Sequence, residues 1–424
     1  MNTLEIKKLI ENGGLDEQFK LLYQNIDDAR TRYIRTINGF VDTFGEKDDI
    51  RIFSAPGRTE VGGNHTDHQH GRVLAGSVDL DIIGVVSTNN DGIVRIKSEG
   101  FPQDNISLTD LSINKSEFGH ASALIRGMCA CFKENGYNVN GFDAYTTNNV
   151  MKGSGLSSSA AFEVFIGTAM NYLFNDGRID AVEIAKISQK SESVYFGKPC
   201  GLLDQSASAL GGFTAIDFKD TSKPVVEKID FDLSSENHLL CVVNTGGNHA
   251  NLTQDYADIT LECRDVSNFF NKDFLRDVDE NEFYSSIADV KAKCGDRAVL
   301  RAIHFFSEDK RADEEKNALK NGNFDEFLRL VNESGNSSYK YLQNVYSTSA
   351  VNEQGLCLGL ALTERFLNGK GACRVHGGGF AGTIQCFIPA ELIDEYKSMI
   401  EKVFGKGSCY ILKIRTVGGY EIKF

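Results

Sequence analysis

Residues 3 to 40 carry apolar side chains at helical steps, Leu4, Ile6, Leu9 and Ile10, then Phe19, Leu22, Tyr23 and Ile26, with charged residues between them. That spacing lines one face of a helix and predicts one or two amphipathic helices. From Ile50 the period shortens. The stretches IRIFSAP, RVLAGSVDLDIIGVVS and GIVRIKS are rich in β-branched residues and separated by turn formers, which predicts strands. GFDAYTTNNVMKGSGLSSSAAFEVFIGTAMNYLF then passes from a strand pattern through a Gly/Ser loop into helix formers from Ala160 onward. The pattern AVEIAKISQKSESVYF predicts a further helix, Ala181 to Phe196, ended by Gly197. Residues 219–237, KDTSKPVVEKIDFDLSSEN, are polar and charged and mark a crossover between two units. Beyond them, strand patterns HLLCVVNT, GTIQCFI and CYILKIRTV alternate with helical segments, an α+β arrangement.

Size and charge narrow the setting. The 424 residues exceed the roughly 250–300 at which a single core stops growing, so two domains are expected, 1–225 and 226–424. A formal charge of −14, from 45 basic and 59 acidic residues, argues against a general affinity for nucleic acid or anionic membrane. No apolar run approaches the roughly 18 residues a membrane span needs, and MNTLEIKKLIENGG lacks the apolar core of a secretory signal. A soluble, cytoplasmic protein is expected, with monomer or weak oligomer left open. The ten cysteines form no CxxC pair and several sit in apolar strings, as in HLLCVVN and TIQCFIP, which predicts reduced buried thiols rather than a disulfide framework.

Two stretches carry candidate chemistry. SAPGRTEVGGNHTDHQHG, residues 54–71, gathers Arg58, His65, Asp67, His68 and His70 between glycines. It reads as a sugar-binding loop, as a zinc site in which His68 and His70 share a strand face, or as a surface loop. The remaining histidines, His120, His238, His249, His304 and His376, form no recognisable second half of a zinc site. GSGLSSSA, Gly153 to Ala160, places glycines before a helix whose unsatisfied N–H groups and positive dipole end face the loop, the chemistry of a phosphate cradle. It lacks the Gly-Lys-Ser/Thr of a Walker loop, and a flexible turn capping the helix accounts equally well for the stretch taken alone.

The order of motifs resembles a known family. GRTEVGGNHTDHQHG is similar to the pattern usually written GRxNxxGEHTDYNxG; GSGLSSSAAFEV, ESVYFGKPCGLLDQ and RVHGGGFAGTIQ follow in turn. From about Phe53 onward the chain resembles the galactokinase branch of the GHMP kinases. The resemblance implies an α+β, two-domain GHMP kinase fold, with a ribosomal protein S5 domain 2-like N-terminal domain and a ferredoxin-like α+β C-terminal domain around one cleft. It implies an ATP-dependent sugar 1-kinase using Mg²⁺, with galactose as the substrate.

By position, the resemblance implies that Asp204 is the acid beside the anomeric hydroxyl and Arg58 its cationic partner. Ser159 and Glu192 match the Mg²⁺ ligands. ATP is expected against Gly153, Ser154, Gly155, Leu156, Ser157, Ser158 and Ser159, and against Gly378 and Gly379. The sugar is expected at Asn64, His65, Thr66, Asp67, Gly201 and Tyr256. The departures fall in the first motif, where Asn64 replaces a glutamate and His68-Gln69 replace Tyr-Asn. An amide can donate to a carboxylate that a glutamate would repel, so galacturonate is the rival acceptor. A non-catalytic sensor of sugar and ATP is a further reading, against which Arg58, Ser159, Glu192 and Asp204 are all present.

Overall fold

The computed structural model describes residues 1–150, 155–247 and 252–424. The N-terminal segment forms three helices, α1 (Thr3–Glu11), α2 (Asp16–Leu22) and α3 (Ile26–Phe44), where apolar spacing predicts one or two. The breaks are local. Gly13, at φ 76°, turns the chain after α1, and Asn25 starts α3 by accepting from the backbone N–H groups of Asp27 and Asp28.

Strands β1 (Arg51–Gly62), β2 (Arg72–Thr88), β3 (Ile93–Ser98), β4 (Gln103–Ser107), β5 (Phe142–Asn148), β6 (Phe213–Asp217) and β7 (Val225–Ile229) belong to one mixed sheet. Only β3 and β5 run parallel among its described pairs. Alternation along β1 sets two layers. Ile52 faces the helices α1–α3, with Phe19, Tyr33, Ile37 and Phe40, while Phe53 and Ala55 face the opposite core. That second face is covered by α4 (Ala121–Glu134), α5 (Ser158–Phe174), α6 (Ala181–Lys190) and α7 (Leu203–Leu210). Residues Ala160 to Asn171 of α5 are all buried, so this helix is the axis of the layer.

After β8 (His238–Asn244) come α8 (Thr253–Phe269), α9 (Glu280–Ser285), α10 (Ile287–Cys294), α11 (Asp296–Lys320), α12 (Phe324–Ser337) and α13 (Gly355–Leu367). Strands β9 (Ala372–His376), β10 (Thr383–Pro389) and β11 (Cys409–Leu412), with α14 (Ile393–Phe404) before β11, complete an antiparallel sheet of order β11-β8-β10-β9. Cys241 and Val243 of β8 pack with α13 and α14; Leu240 and Val242 join the core of the first sheet. The last strand, β12 (Tyr420–Ile422), returns to β1, pairing Ile422 with Ile52.

The polar segment 219–237 contains β7, which pairs with β6 and carries the first sheet past residue 225. A division at 225/226 would cut that strand; we propose two units built on the two sheets, with the seam after Ile229 and β12 returning to the first unit. No helix among the described residues is long and apolar enough to cross a membrane. All ten cysteines are free, seven of them buried.

Because Phe40 is completely buried between α3 and the sheet, Phe40→Ala is expected to cost about 3–5 kcal/mol in denaturant unfolding; a loss under about 1 kcal/mol would mean the helical layer is not packed as described.

Candidate active site

The two glycine-marked stretches meet through Arg58. The β1–β2 register shifts between Pro56 and Arg58, and a Cβ placed on Gly57 would lie 2.8 Å from the Leu156 carbonyl oxygen, so only glycine lets the strand pass this close under the Gly/Ser loop. The Arg58 backbone N–H donates to that carbonyl at 3.0 Å, and its Nη1 donates to the carbonyl of Gly155. The same guanidinium holds Asp204, in the first turn of α7, with Nε 2.7 Å and Nη2 2.6 Å from Oδ1. Ser157, the residue before α5, donates from Oγ to Asp204 Oδ2 at 2.7 Å. Burial pushes the Asp204 carboxyl up, but the Arg58 charge and the hydrogen bonds from Ser157 and Arg58 outweigh it and hold the group below the usual carboxylate range. Asp204 is therefore ionised throughout the neutral range.

Gly155 and Ser157 adopt left-handed backbone, φ 72° and 55°, as the loop turns into α5. Leu156 is buried, and Ser158 and Ser159 form the first turn of the helix. Gly153 and Ser154 lie outside the described residues.

Ser159 Oγ donates to Glu192 Oε1 at 3.0 Å. Helix α6 runs into a π-helical turn, Ser191–Phe196, closed by Gly197 at φ 80°, and this wider turn presents Glu192 inward. Glu192 is 1% exposed and also accepts from Lys198 Nζ at 3.0 Å and from Gln205 Nε2 at 2.7 Å. Gln205 further donates to Glu163 Oε2 at 3.2 Å. Burial, reinforced by the Glu192 charge, pushes the Glu163 carboxyl well up. Lys198, Gln205 and Glu163 were not picked out as site residues from the sequence. Gln205 stands in the GLLDQ element, and Glu163 lies one helical turn after Ser159, a spacing that places both on one face.

A hydroxyl and a carboxylate in hydrogen-bond contact match the oxygen preference of Mg²⁺, which completes its shell with water and phosphate oxygens. Among the described residues no three His, Cys, Asp or Glu side chains converge to hold a metal. The first-loop histidines are engaged with protein groups: His65 Nε2 donates to the Gly378 carbonyl at 2.9 Å, His70 stacks on Phe274 at 3.5 Å between centroids, and His68, half-buried with its ring edge-on to His65, has its imidazole held down at about 3 by desolvation.

On the sugar side, His65 and Asp67 are partly exposed, and a Cβ on Gly201 would lie 3.5 Å from Asp67 Oδ2, so these residues share a surface. Asn64 and Thr66 do not reach it. Both are completely buried, and this corrects the expectation that their side chains meet a ligand. Thr66 Oγ1 lies within hydrogen-bond distance of the carbonyls of Gly63, at 2.9 Å, and Arg72, at 2.6 Å. Asn64 Nδ2 donates to Glu60 Oε1 and the Gly377 carbonyl, each at 2.8 Å, and its Oδ1 accepts from Asn344 Nδ2 at 2.8 Å. Below the loop, Glu308 of α11 accepts from the N–H groups of Gly63 and Asn64 at 3.2 and 3.3 Å. Burial opposes its charge, but Arg311, His304 and Arg374 bring its carboxyl down to about 2.

The third glycine stretch closes over this loop. Gly378 O accepts from His65 and from Asn344 Nδ2, and Gly379 O accepts from Tyr256 Oη at 2.8 Å. Tyr256 thus packs on Gly378 and Gly379, and His65 joins that stretch to the sugar loop. Gly155 is approached by His376 of β9, whose Cε1 would be 3.2 Å from a Cβ at Gly155.

Glu60 and Asn64 occupy positions where the resembled motif has Asn and Glu. The acid and the amide have exchanged places and still hydrogen-bond each other, with buried Arg374 neutralising Glu60 through a 2.9 Å contact. Asn64→Glu should place two carboxylates together and destabilise by about 3 kcal/mol or more, whereas Glu60→Asn/Asn64→Glu should recover most of that loss; denaturant unfolding measures both, and equal losses would break the pairing argument.

Comparison with known proteins agrees with this arrangement. Residues 123–212 match the family model of the GHMP kinases N terminal domain, and residues 38–88 match the galactokinase galactose-binding signature. Relatives include a galactokinase from Clostridium tetani, 29% identical over 374 residues covering 87% of this chain and 91% of the relative. Another, from Streptomyces coelicolor, is 29% identical over 355 residues, covering 83% and 88%. A crystal structure of Lactococcus lactis galactokinase complexed with galactose superposes with a TM-score of 0.75 at 23% identity, covering 92% of this chain and 99% of that one, a likeness of fold. The two signatures fall on the segments that carry Arg58, Ser159, Glu192 and Asp204, and the chain is similar to the GHMP kinases and, among them, to galactokinases.

Proposed function

We propose that this protein is a galactokinase, transferring the γ-phosphoryl group of ATP to the C1 hydroxyl of galactose. The observation that carries the reading is the double grip of Arg58, which holds Asp204 and the Gly155 carbonyl at once. One guanidinium therefore fixes the acid of the acceptor side against the loop of the donor side, the positioning on which phosphoryl transfer chiefly depends.

In this reading the C1 hydroxyl donates to Asp204. A carboxylate held below its usual range is a weak base, so it orients the hydroxyl and takes the proton late, as the oxygen–phosphorus bond forms. The Arg58 charge offsets the negative charge on the transferring group. The N-terminal end of α5 and the backbone of Gly155 to Ser159 face the phosphates. Ser159 and Glu192 would hold Mg²⁺, which would neutralise charge at the phosphate oxygens. Lys198, 60% exposed and paired with Glu192 at 3.0 Å, adds a further positive charge beside the Ser159–Glu192 pair. Asp67, His65 and Tyr256 hold the ring hydroxyls.

The case for galacturonate depends on an amide at position 64 that could donate to a substrate carboxylate. The Asn64 amide is buried and donates to Glu60 and the Gly377 carbonyl instead, so galactose is the acceptor favoured here. Ten free cysteines agree with a reducing, cytoplasmic setting.

Released ADP, measured with Mg·ATP and each of galactose, galacturonate, N-acetylgalactosamine and arabinose, should be fastest with galactose; faster release with galacturonate would overturn the substrate assignment. Asp204→Asn should lower kcat by about a hundred-fold to ten-thousand-fold while galactose binding, followed by calorimetry, persists. Turnover near the wild-type rate would remove Asp204 from the reaction. Because the Asp204 carboxyl is depressed, its ionised form is lost only as pH falls through that lowered value, so the rate profile should show no Asp204 limb above about pH 4. A limb near pH 6 abolished by Asp204→Asn would contradict the assigned environment.

A further inference from the structure

Two buried polar side chains beside the Ser159–Glu192 pair have no part in the chemistry above. Glu163 of α5 and Gln205 of α7 are both completely buried. Gln205 Nε2 has two hydrogens and two carboxyl oxygens to receive them, Glu192 Oε2 at 2.7 Å and Glu163 Oε2 at 3.2 Å, with Cys200 Sγ further off at 3.8 Å. Its Oε1 is buried with no hydrogen-bond partner among the described residues. The orientation of the amide is therefore set by the groups to which its nitrogen donates. Turned over, it would bring its carbonyl oxygen against the Glu192 carboxylate, and neither group could donate to the other.

The contacts run in a chain that begins and ends on one helix. Ser159 donates to Glu192, Gln205 donates to Glu192 from the other side, and Gln205 donates on to Glu163, one turn beyond Ser159 in α5. Helix α5 supplies both ends, the π-helical turn Ser191–Phe196 supplies the acid, and α7 supplies the amide. Each oxygen of Glu192 is held, Oε1 by Ser159 and Lys198 and Oε2 by Gln205. Asp204 precedes Gln205 in the first turn of α7, so the same chain ties the Ser159–Glu192 pair to the turn that carries the acceptor-side acid. Glu163 is not there for packing alone. Its Oε1 has no hydrogen-bond partner among the described residues, a desolvation cost that an apolar side chain in the same space would not carry. What the carboxyl adds is an acceptor for Gln205.

We propose that Glu163 is a positioning residue for the Ser159–Glu192 pair, acting through Gln205 to hold the Glu192 carboxylate in the orientation that receives Mg²⁺. The proposal rests on the kinase reading, which assigns that pair its metal. Groups that orient a metal-ligating carboxylate from behind change metal affinity by about ten-fold to a hundred-fold when they are removed.

The test uses the full-length protein with Glu163→Met, an unbranched side chain of similar length without the acceptor, and Glu163→Gln, which returns an oxygen at the same reach. Calorimetry reads two dissociation constants for the non-hydrolysable analogue AMP-PNP, one with excess Mn²⁺ and one in EDTA. In Glu163→Met the affinity for Mn·AMP-PNP should fall by about tenfold, with metal-free AMP-PNP within about twofold of wild type; Glu163→Gln should recover the loss to within about twofold. A lowered Tm with both affinities unchanged would mean a packing role, overturning the proposal and leaving the kinase reading standing. A Glu163→Gln protein as weak as Glu163→Met would do the same, as would wild-type protein that binds AMP-PNP equally well with Mn²⁺ and in EDTA. Wild-type protein that binds neither form would overturn both. Should Glu163→Met not fold, Glu163→Asp, whose carboxyl falls one methylene short of Gln205, decides the matter by the same readouts.

Discussion

One guanidinium organises this molecule. Arg58 stands where a strand of the main sheet passes beneath the Gly/Ser loop, and its side chain is shared between the Asp204 carboxylate and the Gly155 carbonyl. A partly buried carboxylate in that place would otherwise favour its neutral form; Arg58 and Ser157 reverse the balance. The same contact sets the distance between α5 and α7, the two helices whose N-terminal turns carry Ser159 and Asp204. Charge, geometry and secondary structure are thus fixed by one residue, and Gly57 is what allows it to come so close.

Around that contact the fold supplies rigid backing rather than ligands. Helix α11 braces the first loop from below with His304 and Glu308, and Arg374 neutralises Glu60 from the side of the second sheet. The carbonyl of Gly378 closes the loop from above through His65, and that of Gly379 is held by Tyr256. Asp81 of β2, paired with Arg32 of α3 and with Arg415, ties the helical layer to the main sheet. Each brace uses a buried polar group with its hydrogen bonds made, an arrangement that resists displacement because any movement leaves a desolvated group unpaired.

The sequence made the cleft legible where chemistry needs glycine or a particular charge. Arg58 contacts Asp204 and Ser159 contacts Glu192, and their motifs single these residues out because glycine-rich turns with a following helix leave a strong local mark. Side-chain burial left no such mark. Asn64 and Thr66 stand inside the most recognisable motif yet point into the protein, and nothing in their spacing distinguishes them from His65 and Asp67. The short strand β7 hid in a charged stretch because it lies at the sheet's margin, where its outer residues meet solvent. Apolar spacing revealed the N-terminal helices but not their number, which the Gly13 turn and the Asn25 cap decide. Their polar face was invisible for a different reason: Arg32 and Asp81 are partners 49 residues apart, and neither belongs to a local pattern.

The central claim is that this geometry directs phosphoryl transfer to the anomeric oxygen of a hexose. It is tested most directly by 31P and 13C NMR of the product formed from Mg·ATP and galactose labelled with 13C at C1. The account predicts a single sugar phosphate whose phosphorus couples to the labelled carbon. Phosphate on any other oxygen of the sugar, or inorganic phosphate alone, would contradict it.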